Sequence, residues 1–276
     1  MSTNLKILKL KEFKQQKISA GIIGLGIGFK HFEAIHKYKK ANVLFVCDFD
    51  QEILTAFKKK YPKIKTTTNA NDIINNKDIN LVSIASYDKF HAQQIIKCVS
   101  GGKHVIAEKP ICLTENELKK IITVCKKNSN IQFTCNYVLR SEDIINFIKK
   151  KLSKIKVEKI NYLELDYIWG RPWKLKGWRS KTKNYNIILG AAIHMIDALN
   201  WITGKLPYEV YAIAKKKKYG KHIKYANCSL LLSYKDGFFS KINVNSDSPH
   251  PHFHNISVFT EKFSILNNVN GMSIFD

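Results

Sequence analysis

Arginine is scarce in this chain of 276 residues, which has 46 basic and 22 acidic residues and a formal net charge of +24. Three of the basic residues are arginine, Arg140, Arg171 and Arg179, and the lysines are spread over nearly every predicted surface helix. Nucleic-acid interfaces favour arginine, because its planar guanidinium makes paired hydrogen bonds with phosphates and base edges. The sequence therefore predicts no nucleic-acid partner, although a positive field can still attract an anionic substrate.

Long apolar runs and closely spaced cysteine pairs are also missing. No apolar segment is long enough to span a bilayer, and the alternating leucines and lysines of residues 1–17 lack the apolar core of a signal peptide. The six cysteines include no C-x-x-C pair, and most fall in apolar runs. We therefore predict a cytoplasmic protein with reduced thiols, no membrane contact and a short basic arm over residues 1–18.

The segment from Gly21 to His31 reads GIIGLGIGFKH, and it joins a predicted buried strand to a predicted helix. Its turn contains Gly24, Gly26 and Gly28. Such a turn lets backbone N–H groups approach a pyrophosphate, and the helix N-terminus adds partial positive charge. The spacing is G-x-G-x-G instead of the standard G-x-G-x-x-G, so the alternative is a corner that needs glycine only for its backbone dihedrals.

The next predicted strand favours the dinucleotide interpretation. It reads ANVLFVCDFD and ends on Asp48, 20 residues after Gly28. A carboxylate at this strand end can accept hydrogen bonds from both ribose hydroxyls of NAD, and it would repel the 2′-phosphate of NADP. The alternative is a helix N-cap, but Asp50 suits that role better because a helical pattern begins at Gln51. We therefore predict NAD as the cofactor, with NADP disfavoured.

Strands and helices alternate over residues 19–126, and this alternation predicts an α/β fold with a doubly wound parallel sheet. Continuous apolar runs such as residues 81–85 are typical of strands buried on both faces. The predicted strands cover residues 19–24, 43–48, 64–67, 81–85 and 103–107, and the predicted helices cover residues 29–39, 51–60, 71–75, 89–99 and 115–126.

Two loops follow predicted strands at the edge of the sheet where ligands bind in such folds. Residues 86–91, SYDKFH, follow the fourth strand and are predicted to face the cofactor, with Asp88 as an alternative helix cap. Residues 107–110, AEKP, follow the fifth strand. Lys109, held by the following proline, is well placed for proton transfer, and the alternative is a charged turn with a surface lysine.

Together these segments resemble the Gfo/Idh/MocA family, the glucose–fructose oxidoreductase and inositol dehydrogenase group. The resemblance also includes GAAIHMIDALNWITG and HPHFHNISVF, and it extends over roughly residues 19–265. It implies an N-terminal Rossmann domain, a C-terminal α/β domain on a large open sheet, and NAD(P)-linked oxidoreduction of sugars or cyclitols. It also implies a cis proline after Lys109 that directs this lysine to the nicotinamide. The cofactor site implied beyond the glycine turn and Asp48 consists of His31, Ser86, His91, Glu108 and Lys109.

Residues 127–276 are predicted to form the second, substrate-binding and oligomerisation domain. The segment of residues 169–179, WGRPWKLKGWR, could stack Trp178 on a ring and clamp a phosphate with Arg179. An ordered loop that packs its own aromatic residues is an equal alternative. The helix predicted over residues 190–203 places His194 and Asp197 one turn apart on one face.

The remaining predicted strands, at 208–216, 223–234, 238–246 and 254–266, indicate a mostly antiparallel sheet. A broad sheet face without covering helices needs a partner, so we predict a homodimer or homotetramer. His250, His252 and His254 alternate as on one face of a strand, but no carboxylate or cysteine cluster accompanies them, and we predict no metal site.

The sequence thus predicts an NAD-dependent oxidoreductase acting on a secondary alcohol of a sugar or nucleotide sugar. Lys109 and His194 would handle the hydroxyl proton and stabilise the alkoxide, while Asn136, Tyr137, Trp178, Arg179 and Asp197 would bind the substrate. The three arginines favour an anionic substrate, unless they form structural salt bridges with residues such as Glu142 or Asp166. Gly190 stands where the family commonly has an aspartate that pairs with the histidine. A non-catalytic NAD-binding protein or subunit is therefore the alternative.

Overall fold

The computed structural model of the protein describes residues 17–156, 159–176, 179, 186–219 and 222–276. The chain divides into two compact units, Met1–Asn136 and Tyr137–Asp276. The predicted basic arm over residues 1–18 lies almost entirely outside the described residues. None of the described helices combines the length and the apolar character that crossing a membrane requires.

The first unit contains a six-stranded, all-parallel sheet in the order β3-β2-β1-β4-β5-β6. This order confirms the predicted doubly wound Rossmann fold, whose ligand crevice lies at the carboxyl ends of the central strands. The strands are β1 (Ile18–Ile23), β2 (Ala41–Cys47), β3 (Lys65–Thr67), β4 (Leu81–Ile84), β5 (His104–Ala107) and β6 (Phe133–Cys135), and the helices are α1 (Gly28–Lys37), α2 (Gln51–Lys60), α3 (Asn71–Ile74), α4 (Asp88–Ser100) and α5 (Glu115–Lys127).

Two helices of this unit, α2 and α5, begin at residues whose side chains cap the helix N-terminus. The Asp50 side chain accepts hydrogen bonds from the backbone N–H groups of Glu52 and Ile53, so its predicted capping role is confirmed. Thr114 and Glu117 form a reciprocal capping box at the start of α5. Asp88, the alternative cap of α4, is instead the first residue of this helix, and Tyr87 at the N-cap position makes no side-chain capping hydrogen bond.

The first unit continues past residue 126, the last residue of the predicted strand–helix alternation. Strand β6, which lies in the segment predicted to belong to the second domain, pairs in parallel with β5 through Val105–Phe133, Ile106–Thr134 and Ala107–Cys135. The backbone hydrogen bonds of this pairing keep residues up to Asn136 with the first sheet.

The second unit contains a seven-stranded sheet in the order β13-β12-β11-β7-β10-β9-β8, in which only β7 and β10 run parallel. Its elements are α6 (Asp143–Leu152), β7 (Ile160–Ile168), a π-helical turn (Ile188–Ala192), α7 (Ile193–Thr203), β8 (Glu209–Tyr219), β9 (His222–Ser233), β10 (Phe239–Asn245), β11 (Phe253–Thr260), β12 (Ser264–Asn268) and β13 (Gly271–Phe275). The predicted large, mostly antiparallel open sheet is confirmed.

Side chains of this sheet alternate between a buried and a more exposed face. In β7, Leu163, Leu165 and Tyr167 are buried and pack with residues of α6 and α7, while the residues between them are partly exposed. The single strand predicted over residues 254–266 is wrong. The chain turns at residues 261–263, where the Thr260 hydroxyl oxygen accepts the N–H groups of Lys262 and Phe263, and returns as β12.

Candidate active site

The glycine turn after β1 contains three glycines with different surroundings. Gly24 and Gly28 pack closely against Ala85, while Gly26 faces open space. Gly24 has φ +90°, and a Cβ atom there would lie 2.4 Å from the carbonyl oxygen of Ala85. A Cβ atom on Gly28 would lie 2.9 Å from the Ala85 Cβ atom. A Cβ atom on Gly26 would meet nothing within 4 Å. The turn therefore packs closely against the end of β4 at Gly24 and Gly28 and is open at Gly26.

The Asp48 side chain is hydrogen-bonded to the backbone of this turn. This side chain is 6% exposed, and its Oδ2 atom accepts a 2.7 Å hydrogen bond from the Leu25 N–H group. Its Oδ1 atom accepts a 3.0 Å bond from the Asp50 N–H group. Each carboxylate oxygen can accept more than one hydrogen bond, so acceptor capacity remains after these contacts. The first turn of α1 contains no acidic residue, which leaves the helix N-terminus suited to an anion.

Four predicted or neighbouring polar residues of the first unit form one hydrogen-bond network. The His31 ring nitrogens lie 2.7 Å from the Ser83 Oγ atom and 2.9 Å from Glu108 Oε1. The Asn136 amide donates to Glu108 Oε1 at 2.7 Å. Burial acts to raise the pKa of Glu108, but these hydrogen bonds and the charges of His31 and Lys109 outweigh it and lower the pKa. The network therefore holds an ionised carboxylate next to Lys109.

The loops after β4 and β5 are joined through His91. Its ring is 1% exposed, and its nitrogens lie 2.7 Å from the Pro110 carbonyl oxygen and 2.8 Å from the Ser86 carbonyl oxygen. The Ser86 hydroxyl donates to Gln94 Oε1 at 2.7 Å. The peptide bond between Lys109 and Pro110 is cis, as the resemblance implied. Because both nitrogens of the buried His91 ring are engaged, this residue braces the two loops, and the roles predicted for Ser86 and His91 toward a cofactor stay predictions.

In the second unit, a cluster of rings surrounds Tyr167 near the end of β7. The His194 ring from α7 stacks on Tyr167 with centroids 5.8 Å apart and planes inclined by 11°. The rings of His252 and His254 lie 5.4 Å and 4.7 Å from the Tyr167 ring, and Trp169 lies 6.2 Å from it. We call these five residues the ring cluster.

A close approach of two loops keeps the ring cluster together. Gly170 has φ +51°, and a Cβ atom there would lie 2.3 Å from the His250 carbonyl oxygen. The Nδ1 atom of His252 lies 2.8 Å from the Trp169 carbonyl oxygen. The segment before β11 is thus held against the segment after β7, and the guanidinium of Arg179 lies 5.5 Å from the Trp169 ring centroid.

Cationic side chains act on two members of the ring cluster, Tyr167 and His254. Burial raises the pKa of Tyr167, and the charges of Arg171 and Arg179 oppose this shift. Burial, His252 and Arg171 together lower the pKa of His254 from 6.5 to about 4. Such a field favours a bound group that carries negative charge.

The acidic residues of β7 lie on the opposite face of the sheet, because side chains alternate along a strand. There Glu164 pairs with Lys241, and Asp166 accepts a 2.8 Å hydrogen bond from the Asn243 amide. Burial raises the pKa of Asp166, although its hydrogen bonds with Asn243 and Asn255 act in the other direction. These carboxylates are therefore not directed into the ring cluster.

Asp197 has a protein partner on the same unit. Its two carboxylate oxygens accept hydrogen bonds from Arg140, at 2.8 Å from Nε and 2.5 Å from Nη2. The Arg140 guanidinium also lies 4.9 Å from the Trp201 ring centroid and 5.3 Å from that of Tyr137. The alternative that the arginines form structural salt bridges is therefore confirmed for Arg140, although its partner is Asp197 and not Glu142 or Asp166. Substrate binding by Asp197 and Tyr137 stays a prediction.

Trp178 lies outside the described residues. Gly190 lies in the π-helical turn directly before α7. His250 and His252 precede β11, so the three alternating histidines do not share a strand. In the part of the chain that the structure describes, no three histidine, cysteine or acidic residues converge as metal ligands.

Ser83 and Tyr167 were not predicted from the sequence as site residues. Arg171 was predicted only as one of three arginines that favour an anionic substrate, and His252 and His254 were considered only as metal ligands. Ser83 lies inside an apolar strand and shows no sequence signal. For Tyr167 the period-two pattern of β7 was a usable signal, because it places this residue on the buried face together with Leu163 and Leu165.

The parallel sheet, the open glycine turn and the acidic strand end define a dinucleotide-binding protein. Comparison with known proteins identifies the family. Residues 18–137 match the oxidoreductase family GFO/IDH/MocA with its NAD-binding Rossmann fold, and residues 146–266 match the GFO/IDH/MocA C-terminal domain. The chain therefore belongs to the GFO/IDH/MocA family of NAD-binding oxidoreductases, as its motifs indicated.

The individual relatives share only about a quarter of their aligned residues with this chain. The chain is 25% identical over 250 residues to myo-inositol 2-dehydrogenase of Thermotoga maritima, an alignment that covers 89% of this chain and 74% of the relative. It is 26% identical over 194 residues to inositol 2-dehydrogenase of Salmonella typhimurium, covering 67% of this chain and 54% of that protein. The chain spans about half the length of this relative and of other curated relatives.

Among solved structures, the WlbA dehydrogenase of Chromobacterium violaceum, in complex with NADH and UDP-GlcNAcA, matches with a TM-score of 0.84 at 21% identity. The match covers 97% of this chain and 79% of that chain. At this level of identity it shows a shared fold.

Proposed function

We propose that the protein is an NAD-dependent oxidoreductase that transfers a hydride between nicotinamide and a secondary alcohol of a sugar or nucleotide sugar. The observation that carries the proposal is the turn at Gly26, which is open to a bound group and has the oriented carboxylate of Asp48 beside it. Gly24, Gly26 and Gly28 would admit the pyrophosphate, and Asp48 would accept the ribose hydroxyls. A negative charge at Asp48 favours NAD over NADP.

Proton transfer is assigned to Lys109 and His194. When bound, the nicotinamide supplies the hydride acceptor for oxidation of the alcohol or the hydride donor for the reverse reaction. One of the two residues takes the hydroxyl proton and the other stabilises the developing alkoxide oxygen, with Lys109 assigned as the base. The hydrogen bonds that His31 and Asn136 make with Glu108 keep this carboxylate charged beside Lys109, which supports a cationic state of the lysine after it has accepted the proton.

A substrate with an anionic group is favoured over a neutral sugar. The support is that the guanidinium groups of Arg171 and Arg179 act on the ring cluster. The relatives include inositol dehydrogenases, for which the substrate is neutral, and a dehydrogenase crystallised with UDP-GlcNAcA, a nucleotide sugar acid. We assign Arg179 to the anion and retain Asn136, Tyr137 and Asp197 as groups that orient the sugar, Asp197 together with Arg140.

The experiment that tests this substrate class compares a UDP-sugar acid with the matching free sugar in steady-state kinetics with NAD. Replacement of Arg179 by lysine is expected to raise KM for the UDP-sugar acid and leave KM for the free sugar unchanged, because lysine lacks the paired hydrogen-bond geometry of arginine. A similar rise for both substrates, or a lower melting temperature with unchanged kinetics, would remove the anionic-substrate assignment.

A non-catalytic NAD-binding protein or subunit is the second candidate, and Gly190 is the observation that favours it. The aspartate that commonly pairs with the histidine in this family is replaced by a residue without a side chain. The two candidates differ in turnover. Fluorescence of protein-bound NADH that changes when a keto-sugar is added indicates an enzyme, and stable fluorescence over a panel of such compounds indicates the non-catalytic alternative.

We propose further that the chain forms a homodimer or homotetramer through the face of the second sheet opposite α6 and α7. Directly paired residues share a face, so Tyr211, Leu231 and Lys241 lie side by side across β8, β9 and β10. Tyr211 is 62% exposed and Leu231 is 48% exposed. The rings of Tyr162 and Phe239 stack on the same face at 5.0 Å. An exposed apolar surface of this kind is typical of an interface.

A further inference from the structure

Two aromatic side chains meet at the edge of the first sheet where the cofactor is proposed to bind. Phe49 directly follows Asp48 at the end of β2, and Tyr87 directly follows Ser86 after β4. Their ring centroids are 5.3 Å apart, with planes inclined by 43°. Strand β1 lies between β2 and β4 in the sheet, so the two rings come from the strands that flank the glycine turn.

Phe49 is 68% exposed, in contrast to Phe32 and Phe57 of the same unit, which are 0% and 5% exposed. Single exposed apolar side chains are common on protein surfaces and need no explanation by themselves. This ring, however, is adjacent in sequence to the carboxylate that we assign to the ribose. In an adenine dinucleotide the base is bonded to the ribose carbon next to the 2′-hydroxyl, so a ribose held by Asp48 brings the base within reach of the following residue.

We propose that Phe49, supported from the side by Tyr87, is the surface on which the adenine ring of the dinucleotide stacks. This inference rests on the proposed NAD site and adds the residue that recognises the base. Base–aromatic stacking needs no hydrogen-bond partner on the protein, because every base has a π face. It also removes the exposed ring of Phe49 from water, which is favourable for an apolar surface.

The test uses three probes: NADH, reduced nicotinamide mononucleotide, which lacks the adenosine half, and AMP, which lacks the nicotinamide half. Replacement of Phe49 by alanine is expected to weaken binding of NADH and AMP by about 5- to 150-fold, the range that removal of one stacking partner produces. Affinity for the mononucleotide is expected to stay unchanged. Phe49→Trp, which keeps a large π face, is expected to restore NADH and AMP affinity.

Tyr38→Ala is the matched control. Tyr38 is an exposed aromatic residue of the same unit, 53% exposed, that follows the last residue of α1 at the end of the helix away from the glycine turn. The control is expected to bind all three probes as the unaltered protein does. Melting temperatures of the three variants verify the fold.

Three results would overturn the inference. Unchanged NADH affinity in Phe49→Ala, with NADH bound normally by the unaltered protein, would reject the stacking surface and leave the NAD site intact. Equal losses for NADH and the mononucleotide would show that Phe49 supports the site as a whole and does not contact the base. Absence of binding of all probes by the unaltered protein would reject the NAD site and the stacking surface together.

Discussion

At the scale of single residues, Asp48 and Asp50 differ in their tasks although they are two positions apart. Asp50 caps α2, while Asp48 accepts the Leu25 N–H group of the glycine turn. We expect Asp48→Ser to weaken NADH binding by about 10- to 100-fold, because hydrogen bonds to a charged group are lost. We also expect the preference for NADH over NADPH to narrow, because the repulsion of the 2′-phosphate disappears. Asp50→Ser retains a capping side chain and is expected to leave both affinities unchanged. Tighter binding of NADPH than NADH by the unaltered protein would contradict the role given to Asp48.

Lys109 is the residue to which proton transfer is assigned. Lys109→Ala is expected to lower kcat by about 10²- to 10⁴-fold, the usual contribution of general acid–base catalysis. NADH affinity is expected to stay within an order of magnitude, because the glycine turn and Asp48 are unaltered. Steady-state rates and a fluorescence titration measure the two effects, with Lys120→Ala, at an exposed position of α5, as a surface control. Unchanged turnover in Lys109→Ala would transfer the chemistry to His194.

At the residue level, the prediction that was confirmed is the capping role of Asp50, where the chemistry is local. The choice between Asp48 and Asp50 depends on the position of a helix start a few residues away, and such spacing can be read directly. The Arg140–Asp197 ion pair could not be predicted, because its partners are 57 positions apart and meet only through tertiary packing. The same applies to the network of Ser83, His31 and Glu108.

At the scale of elements, the strand–turn–helix of the first unit predicts opposite consequences for two glycines. We expect Gly24→Ala to destabilise the protein by about 2–4 kcal/mol, because it combines a positive φ with a Cβ atom 2.4 Å from the Ala85 carbonyl oxygen. Gly26→Ala meets no protein atom within 4 Å and is expected to leave stability unchanged while weakening NADH binding. Urea unfolding and NADH titration of both variants measure this contrast. Normal NADH affinity in a folded Gly26→Ala protein would place the cofactor elsewhere.

Element prediction followed the strength of the sequence pattern. In the first unit, alternating apolar runs and amphipathic helices gave strand and helix positions close to those of the structure, because each element is buried in the regular manner of a parallel sheet. In the second unit, β11 and β12 were merged, since the turn at residues 261–263 contains neither glycine nor proline. Strand β6 was assigned to the wrong side of the boundary, because pairing partners cannot be read from a three-residue strand.

At the scale of the whole molecule, the open face of the second sheet predicts self-association. Leu231 lies on this face opposite Lys241, so Leu231→Lys places a second positive charge beside the first and exposes it at the proposed interface. We expect the unaltered protein to be a dimer or tetramer by light scattering and the variant to shift to the monomer. Leu206→Lys, at a position that is 78% exposed, is the control and is expected to keep the assembly. A monomeric unaltered protein would contradict the proposed interface.

The proposed function depends on a dinucleotide site in the first unit, and a fluorescence titration of the purified protein with NADH tests this site most directly. We predict saturable binding with one NADH per chain, competition by NAD, weaker binding of NADPH, and loss of affinity in the Gly26→Ala protein. Absence of saturable NADH binding by the folded protein would contradict the proposed dinucleotide site. The same holds if the Gly26→Ala and Asp48→Ser variants bind NADH as tightly as the unaltered protein does.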